Sequence, residues 1–298
     1  MVFTVTLNPS LDYIMNISNM VCGQVNRSES EHIYPGGKGI NVSLVLKTLG
    51  VKSVVLGFIA GFTGRQIKAE VGRFGCAEKF IELPDGISRI NVKLKSSEET
   101  EINGQGPFID SKSKEKLFSQ LGELAEGDIL VLAGNAPKSL GMGIYSEIMD
   151  SVAEKKVKVV VDASGEQLIK AVEKRPFLVK PNIHELGEIF GVEIRGCGQA
   201  AEYAAKLCDM GAENVIVSMD AGGGLIISDG CKCYCKAKEI KAVNTTGAGD
   251  SLVAGFIAKY LECQNSEEAL RFGVAVGTAA AGCEYLPALE DIICIYGV

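Results

Sequence analysis

Nowhere in the chain does an apolar run approach the roughly 20 residues that a helix needs to cross a bilayer. Runs such as Ile129 to Ala133 and Val159 to Val161 are far shorter. Basic residues are also in deficit. There are 30 against 37 acidic ones, and the net charge of −7 lacks the electrostatic footprint of a nucleic-acid binder. A few cations focused in one cleft can still hold an anionic small molecule. Proline is scarce at eight residues, and the 35 glycines follow no Gly-X-Y period, so they mark tight turns and close backbone contacts rather than collagen. Met1 to Leu7 has no basic flank and no long apolar stretch; a first strand is expected there, not a signal peptide. There is no Walker loop, and no Gly-x-Gly-x-x-Gly follows that strand. The two histidines, His32 and His184, offer no setting for a Ser-His-Asp triad. Low-complexity tracts, long linkers and internal repeats are missing as well.

What remains is an ordinary globular composition, 47% hydrophobic and 22% charged over 298 residues. A chain of that length can fold without disulfides or a structural metal. Its ten cysteines are scattered and, with no secretion signal, are expected to be free thiols in a reducing cytoplasm. Cys231, Cys233 and Cys235 alternate, so a strand would point all three sulfurs to one face. They lack the paired knuckles of a thiolate metal site and have no histidine nearby. A strand with small, weakly apolar side chains is the plainer reading.

The C-terminal two-thirds alternates β-branched runs with amphipathic stretches. Strands are expected at Ile129–Ala133, Val157–Asp162, Leu178–Lys180, Asn214–Ser218 and Leu225–Ser228. Helices are expected at Gly143–Lys155, Glu166–Lys174, His184–Phe190, Gln199–Met210, Gly249–Cys263 and Ser266–Gly282. That alternation predicts an α/β fold with a mostly parallel sheet covered on both faces. Ligands in such sheets bind beyond the carboxyl ends of the strands. Leu11–Tyr34 and Ile87–Gly106 break the pattern with polar-alternating strands and no intervening helix. They predict a small, separate β element whose apolar face must be buried on the main domain or on a second copy.

Three motifs carry chemistry. In Pro35-Gly36-Gly37-Lys38-Gly39-Ile40-Asn41, a glycine-rich loop opens a helix that should run to about Leu49, with Gly50 following its end. A helix N-terminus with Lys38 and Asn41 suits an anionic or polar ligand, although a plain strand-to-helix turn accounts for the glycines equally well. In Asn244-Thr245-Thr246-Gly247-Ala248-Gly249-Asp250, a second small-residue turn opens a helix. The amides of Gly247, Ala248 and Gly249 could face developing negative charge, with Asp250 as base or merely as a complement to the helix dipole. In Lys180-Pro181-Asn182-Ile183-His184-Glu185, Asn182 and Glu185 are oxygen ligands suited to Mg²⁺ held through water, and equally a capping box. Two helix-opening loops in one chain suit a two-substrate site.

The glycine loop at Gly36–Gly39 and the Gly247-Ala248-Gly249-Asp250 loop, in this order and at this separation, resemble the signatures of the ribokinase-like sugar kinases, the PfkB family. The resemblance spans essentially the whole chain. It is nearest to the phosphosugar branch through Thr4 to Asp12, Ser88 to Leu94, Thr100 to Asn103 with Gly106-Pro107, and Asp162 to Gly165. It implies a ribokinase-like three-layer α/β/α fold: one kinase domain over residues 1–298 with a discontinuous β lid at 11–34 and 87–106. It implies ATP and Mg²⁺, a cytoplasmic enzyme without nucleic-acid or membrane partners, and a homodimer through the lid. Asp250 would be the general base, ionised at an ordinary carboxylate pKa, and the amides of Gly247, Ala248 and Gly249 the anion hole. Asp12, Gly37 and Asn41 would hold sugar hydroxyls, with Lys38 and Arg89 near the sugar phosphate. Asn182 and Glu185 would organise Mg²⁺ through water. Lys180, Ser218 and the turn from Gly222 to Gly224 would lie on the ATP side.

The implied reaction is ATP-dependent phosphorylation of a phosphosugar hydroxyl. The runs Arg89-Ile90-Asn91-Val92 and Glu101-Ile102-Asn103 favour fructose 1-phosphate, giving fructose 1,6-bisphosphate, over tagatose 6-phosphate or fructose 6-phosphate. A non-catalytic sugar-phosphate-binding protein is the rival of another class, and Asp250 argues against it, since a pure binder has no use for a base. Departures from the branch pattern are Gly134-Asn135-Ala136-Pro137, Ser218-Met219-Asp220 and Thr246. An aspartate beside a nucleotide site repels phosphate unless it faces solvent.

Overall fold

The computed structural model describes residues 1–297. In chain order the strands are β1 (Val2–Thr6), β2 (Ser10–Asn16), β3 (Ser30–Gly36), β4 (Ser53–Ala60), β5 (Ala77–Leu83), β6 (Arg89–Lys95), β7 (Thr100–Asn103), β8 (Ile129–Ala133), β9 (Lys158–Asp162), β10 (Leu178–Val179), β11 (Asn214–Ser218), β12 (Gly224–Ser228) and β13 (Cys231–Cys235). The helices are α1 (Lys38–Thr48), α2 (Gly61–Arg73), α3 (Ser111–Leu121), α4 (Ile144–Val152), α5 (Gly165–Val172), α6 (Ile183–Phe190), α7 (Cys197–Met210), α8 (Ala248–Cys263), α9 (Ser266–Ala281) and α10 (Leu289–Tyr296).

Nine strands form the main sheet in the order β13-β12-β11-β10-β9-β8-β1-β4-β5. From β11 through β5 every neighbour is parallel, while β12 and β13 close one edge as antiparallel hairpins. Central strands such as β8 are buried along their whole length, as the continuous apolar run Ile129–Ala133 requires. One face packs against a layer that includes Leu117, Ile144, Ile148, Leu168 and Leu207. The other packs against Val42, Leu46, Val253, Phe256 and Val276. This is the expected three-layer α/β/α arrangement. Order reverses between β1 and β8, because the chain runs outward through β4 and β5 before returning. A crevice forms beyond the carboxyl ends of the strands at such a switch point.

The two polar-alternating segments supply a second sheet in the order β3-β2-β6-β7. Strands β2 and β6 run parallel, with Ser10 opposite Arg89 and Asp12 opposite Asn91. Because side chains alternate, Ser10, Asp12, Arg89, Asn91, Lys93, Glu101 and Asn103 share one face. Leu11 packs from the opposite face onto Ile40, Leu44, Val55 and Ile67, which anchors this sheet to the main domain. Farther out on that opposite face, Ile33 and Ile102 are exposed.

Helix ends follow local chemistry. α1 ends at Leu49 with Gly50 at φ +76°, the left-handed position expected after a helix. The stretch Gly143–Lys155 divides into α4 and a short 3₁₀ turn. On β13, Cys233 and Cys235 pack against the second core layer, while Cys231 is exposed. No helix among the described residues is long and apolar enough to cross a membrane.

Candidate active site

The crevice is a cleft of about 830 Å³ between the strand carboxyl ends and the polar face of the small sheet. Asp162 ends β9, Lys180 follows β10 and Ser218 ends β11; all three line it. Gly37 opens α1 from a backbone of φ +125°, and an added Cβ would lie 2.6 Å from Thr6 Cγ2. Both constraints demand glycine. They place Lys38 and Asn41 on the first turn of α1, inside the cleft.

Asp250 sits in the first turn of α8 and is 5% exposed. Asn41 Nδ2 donates to its Oδ2 at 2.7 Å, across 209 residues of sequence. Burial is the chief reason its carboxyl is pushed up to about 6; nearby Asp162 adds to this, and Lys38, Asn41 and Lys180 oppose it. The ordinary carboxylate value expected from sequence is thus corrected upward. At pH 7 most of the population is still ionised, and the group titrates near the working pH, where a general base is most effective.

Gly247 caps α8 at φ +84°. Of the three amides expected there, that of Ala248 is turned to the Thr245 carbonyl at 3.2 Å. The amides of Gly247, Gly249 and Asp250 have no acceptor among the described residues. Beside them lies the Lys180 ammonium: a Cβ on Gly249 would be 3.2 Å from its Nζ.

Asp162 is fully buried, and its Oδ1 receives Lys38 Nζ at 2.9 Å and Lys180 Nζ at 3.4 Å. Burial alone would raise its pKa; the two cations outweigh that and hold it below the usual range. The same attraction raises Lys38. Its other oxygen, Oδ2, is buried without a partner. In the sequence Asp162 stands out only as the start of the run to Gly165, and its pairing with two lysines remote along the chain has no local signal there.

On the small sheet, Asp12 accepts from Ser10 Oγ at 2.6 Å and from Asn91 Nδ2 at 3.0 Å, and pairs with Lys93 Nζ at 3.1 Å. Lys93 and Asn91, buried and cleft-lining, were not singled out as site residues. Arg89 donates Nε to the Asn8 carbonyl at 3.0 Å, and its terminal nitrogens have no acceptor among the described residues. Burial lowers its pKa, partly offset by Asp12.

Asn182 caps α6, accepting from the amides of His184 and Glu185 at 2.9 and 2.8 Å, while Glu185 Oε2 accepts from the Asn182 amide at 2.8 Å. The capping box is therefore formed, and both residues also line the cleft. In the turn after β11 the lining residues are Ser218, Asp220, Ala221 and Gly223. Gly222 and Gly224 do not reach it, since Gly224 lies under Val274 and Leu270. Asp220 is exposed, and Asn135 accepts from Ser164 outside the cleft lining.

A family model described as "pfkB family carbohydrate kinase" matches residues 5–288, and the chain belongs to that family. Its architecture is ribokinase-like, and it is an ATP-dependent sugar-phosphate kinase. It is 47% identical over 292 residues to the 1-phosphofructokinase of Bacillus subtilis, covering 98% of this chain and 96% of that protein. It is 33% identical over 288 residues to the D-tagatose-1-phosphate kinase of Bacillus licheniformis, covering 94% and 92%. Phosphofructokinase-2 from Escherichia coli, solved in complex with fructose-6-phosphate, superposes with a TM-score of 0.92 at 27% identity, covering 99% and 98%.

Proposed function

We propose that this chain transfers the γ-phosphoryl group of ATP to the free primary hydroxyl of fructose 1-phosphate, giving fructose 1,6-bisphosphate and ADP. The observation that carries this reading is Asp250: buried, oriented by Asn41 and next to three unpaired amides at the mouth of α8. A base and an anion hole in one place suit transfer rather than binding alone.

Phosphoryl transfer needs positioning and charge stabilisation more than covalent chemistry. Asp250 takes the proton from the attacking hydroxyl as the sugar oxygen bonds to phosphorus and the bridge to ADP breaks. The amides of Gly247, Gly249 and Asp250 donate to the transferring oxygens, and Lys180 adds positive charge beside them. Asp12, Gly37 and Asn41 hold hydroxyls of the acceptor. Ser218 and the turn at Gly223 lie on the ATP side. The small sheet acts as a lid that keeps bulk water from the γ-phosphate.

The oxygen-rich pair Asn182 and Glu185, with the unpartnered Oδ2 of Asp162 in the same cleft, fits a hard divalent cation, and we assign it to Mg²⁺ through water. Mg²⁺ neutralises phosphate charge when bound. The ten free cysteines support a reducing, cytoplasmic setting. Exposed Ile33 and Ile102 on the outer lid face support a second copy docking there.

The acceptor choice rests on the 47% identity to a 1-phosphofructokinase. A second reading, tagatose 1-phosphate, is favoured by the D-tagatose-1-phosphate kinase relative. A coupled assay for ADP over fructose 1-phosphate, tagatose 1-phosphate, tagatose 6-phosphate, fructose 6-phosphate and ribose decides. The highest kcat/KM is expected for fructose 1-phosphate, and a higher value for any other sugar overturns the assignment.

Arg89 offers a sharper check. Its free terminal nitrogens suit the phosphate already on the sugar, in a charge-assisted bond worth about 1.5–3 kcal/mol. Arg89→Ala is expected to raise KM for the phosphosugar roughly ten- to a hundredfold and leave KM for ATP nearly unchanged. Unchanged KM for the sugar would place Arg89 away from that phosphate.

A further inference from the structure

Two asparagines in the cleft are wired alike. On the main domain, Asn41 donates Nδ2 to Asp250. On the lid, Asn91 donates Nδ2 to Asp12 Oδ1 at 3.0 Å and to Ser10 Oγ at 3.1 Å. A carboxylate can only accept, so it fixes which end of each amide is nitrogen. Both amide hydrogens of Asn91 are then engaged, and its remaining capacity is as an acceptor. Its Oδ1 is buried with no partner, as is Asn41 Oδ1. Asn91 is only 6% exposed, yet it lines the cleft. Buried carbonyl oxygens without a donor are rare and costly.

The surroundings keep that oxygen bare. Two cations stand two residues from Asn91 on the same face; one of them, Lys93, is held by Asp12 at 3.1 Å and Glu101 at 3.8 Å. The other, Arg89, spends its Nε on a backbone carbonyl, and its free terminal nitrogens make no bond to the Asn91 oxygen. The Asn91 oxygen keeps its full accepting capacity, which suits a neutral donor such as a sugar hydroxyl.

We propose that Asn91 is a substrate-binding and specificity-determining residue whose Oδ1 accepts a hydrogen bond from one non-reacting hydroxyl of the acceptor sugar. The lid then reads one end of the sugar while Asn41 and Asp250 hold the reacting end. This rests on the kinase reading above and deepens it.

The test is acceptor affinity measured by calorimetry, so turnover is not required. Fructose 1-phosphate is compared with its 3-deoxy and 4-deoxy analogues on wild type and Asn91→Ala. Asn91→Ala is expected to weaken fructose 1-phosphate by about tenfold or more, with ATP affinity unchanged. With one of the two analogues it should cause little further loss, since the partner hydroxyl is already gone. Equal losses on the sugar and both analogues overturn the proposal. Asn91 also supports Asp12, so the comparison is repeated in Asp12→Ala. Coupling that persists there supports direct contact, and coupling that vanishes reduces Asn91 to a positioning residue and overturns it. If Asn91→Ala does not fold, Asn91→Ser keeps a donor to Asp12 but draws the acceptor back toward the strand, and the same comparison applies. Wild type that fails to bind fructose 1-phosphate sinks the functional reading, and this inference with it. Wild type that binds it while the losses are additive sinks this inference alone.

Discussion

Asp250→Asn is expected to lower kcat by about 10²–10⁴, the usual contribution of a general base, while phosphosugar and ATP still bind. Its melting temperature should stay level or rise. The wild-type carboxyl is pushed up to about 6, chiefly by burial, so keeping it ionised at pH 7 opposes folding. The neutral amide removes that opposition and can still accept from Asn41. The same shift sets a pH profile for wild type. In the proposed role Asp250 acts deprotonated, so kcat/KM is expected to fall as pH drops through about 6 and to be fully present well above it. A variant with normal turnover and a lowered melting temperature would reduce Asp250 to a complement of the α8 dipole. A wild-type acid limb well below pH 5 would contradict the desolvated site.

Asp162→Ala is expected to be the most damaging change to stability. It leaves Lys38 and the buried Lys180 without their shared carboxylate. Removing one partner of a buried ion pair typically costs about 3–5 kcal/mol. For a chain of this size that corresponds to a melting temperature lower by on the order of 10 °C. Asp162→Asn retains the shape and should lose less. Because the Asp162 charge helps raise Asp250, the acid limb of Asp162→Asn should move to lower pH. Thermal melts of both variants check the first point, and an alanine variant melting with wild type would contradict it.

Much of the fold was legible because period and length agree with burial. Ile129–Ala133 and Asn214–Ser218 read as strands and are strands, since a short, continuous apolar run fits a doubly covered position. Helix limits were read to within a few residues wherever glycine or asparagine sits at the end, as at Gly50 and Asn265. The two loops that open α1 and α8 were legible for the same reason, because small residues before a helix leave few alternatives. The pairings inside the cleft were not. Lys38 finds Asp162 across 124 residues and Asn91 finds Asp12 across 79, and no local pattern encodes such distances. The carboxyl shift of Asp250 depends on burial and on Lys38, Asn41, Asp162 and Lys180, all remote from it in sequence. The Ala248 amide and the Gly223 turn depend on one peptide's orientation, below the resolution of any composition argument.

The parallel pairing of β2 with β6 has a consequence for the order of folding. A parallel pair cannot close through a tight turn. Here its crossover comprises β3, α1, β4, α2 and β5, residues 17–88. The central contact of the small sheet therefore carries a high sequence separation and a correspondingly large loop-closure cost. A chain released only as far as Leu83 holds β2 and β3 but not the strand that bears Arg89, Asn91 and Lys93. The face of the cleft that bears Arg89, Asn91 and Lys93 therefore cannot form until β6 has been made and has found β2 across that crossover.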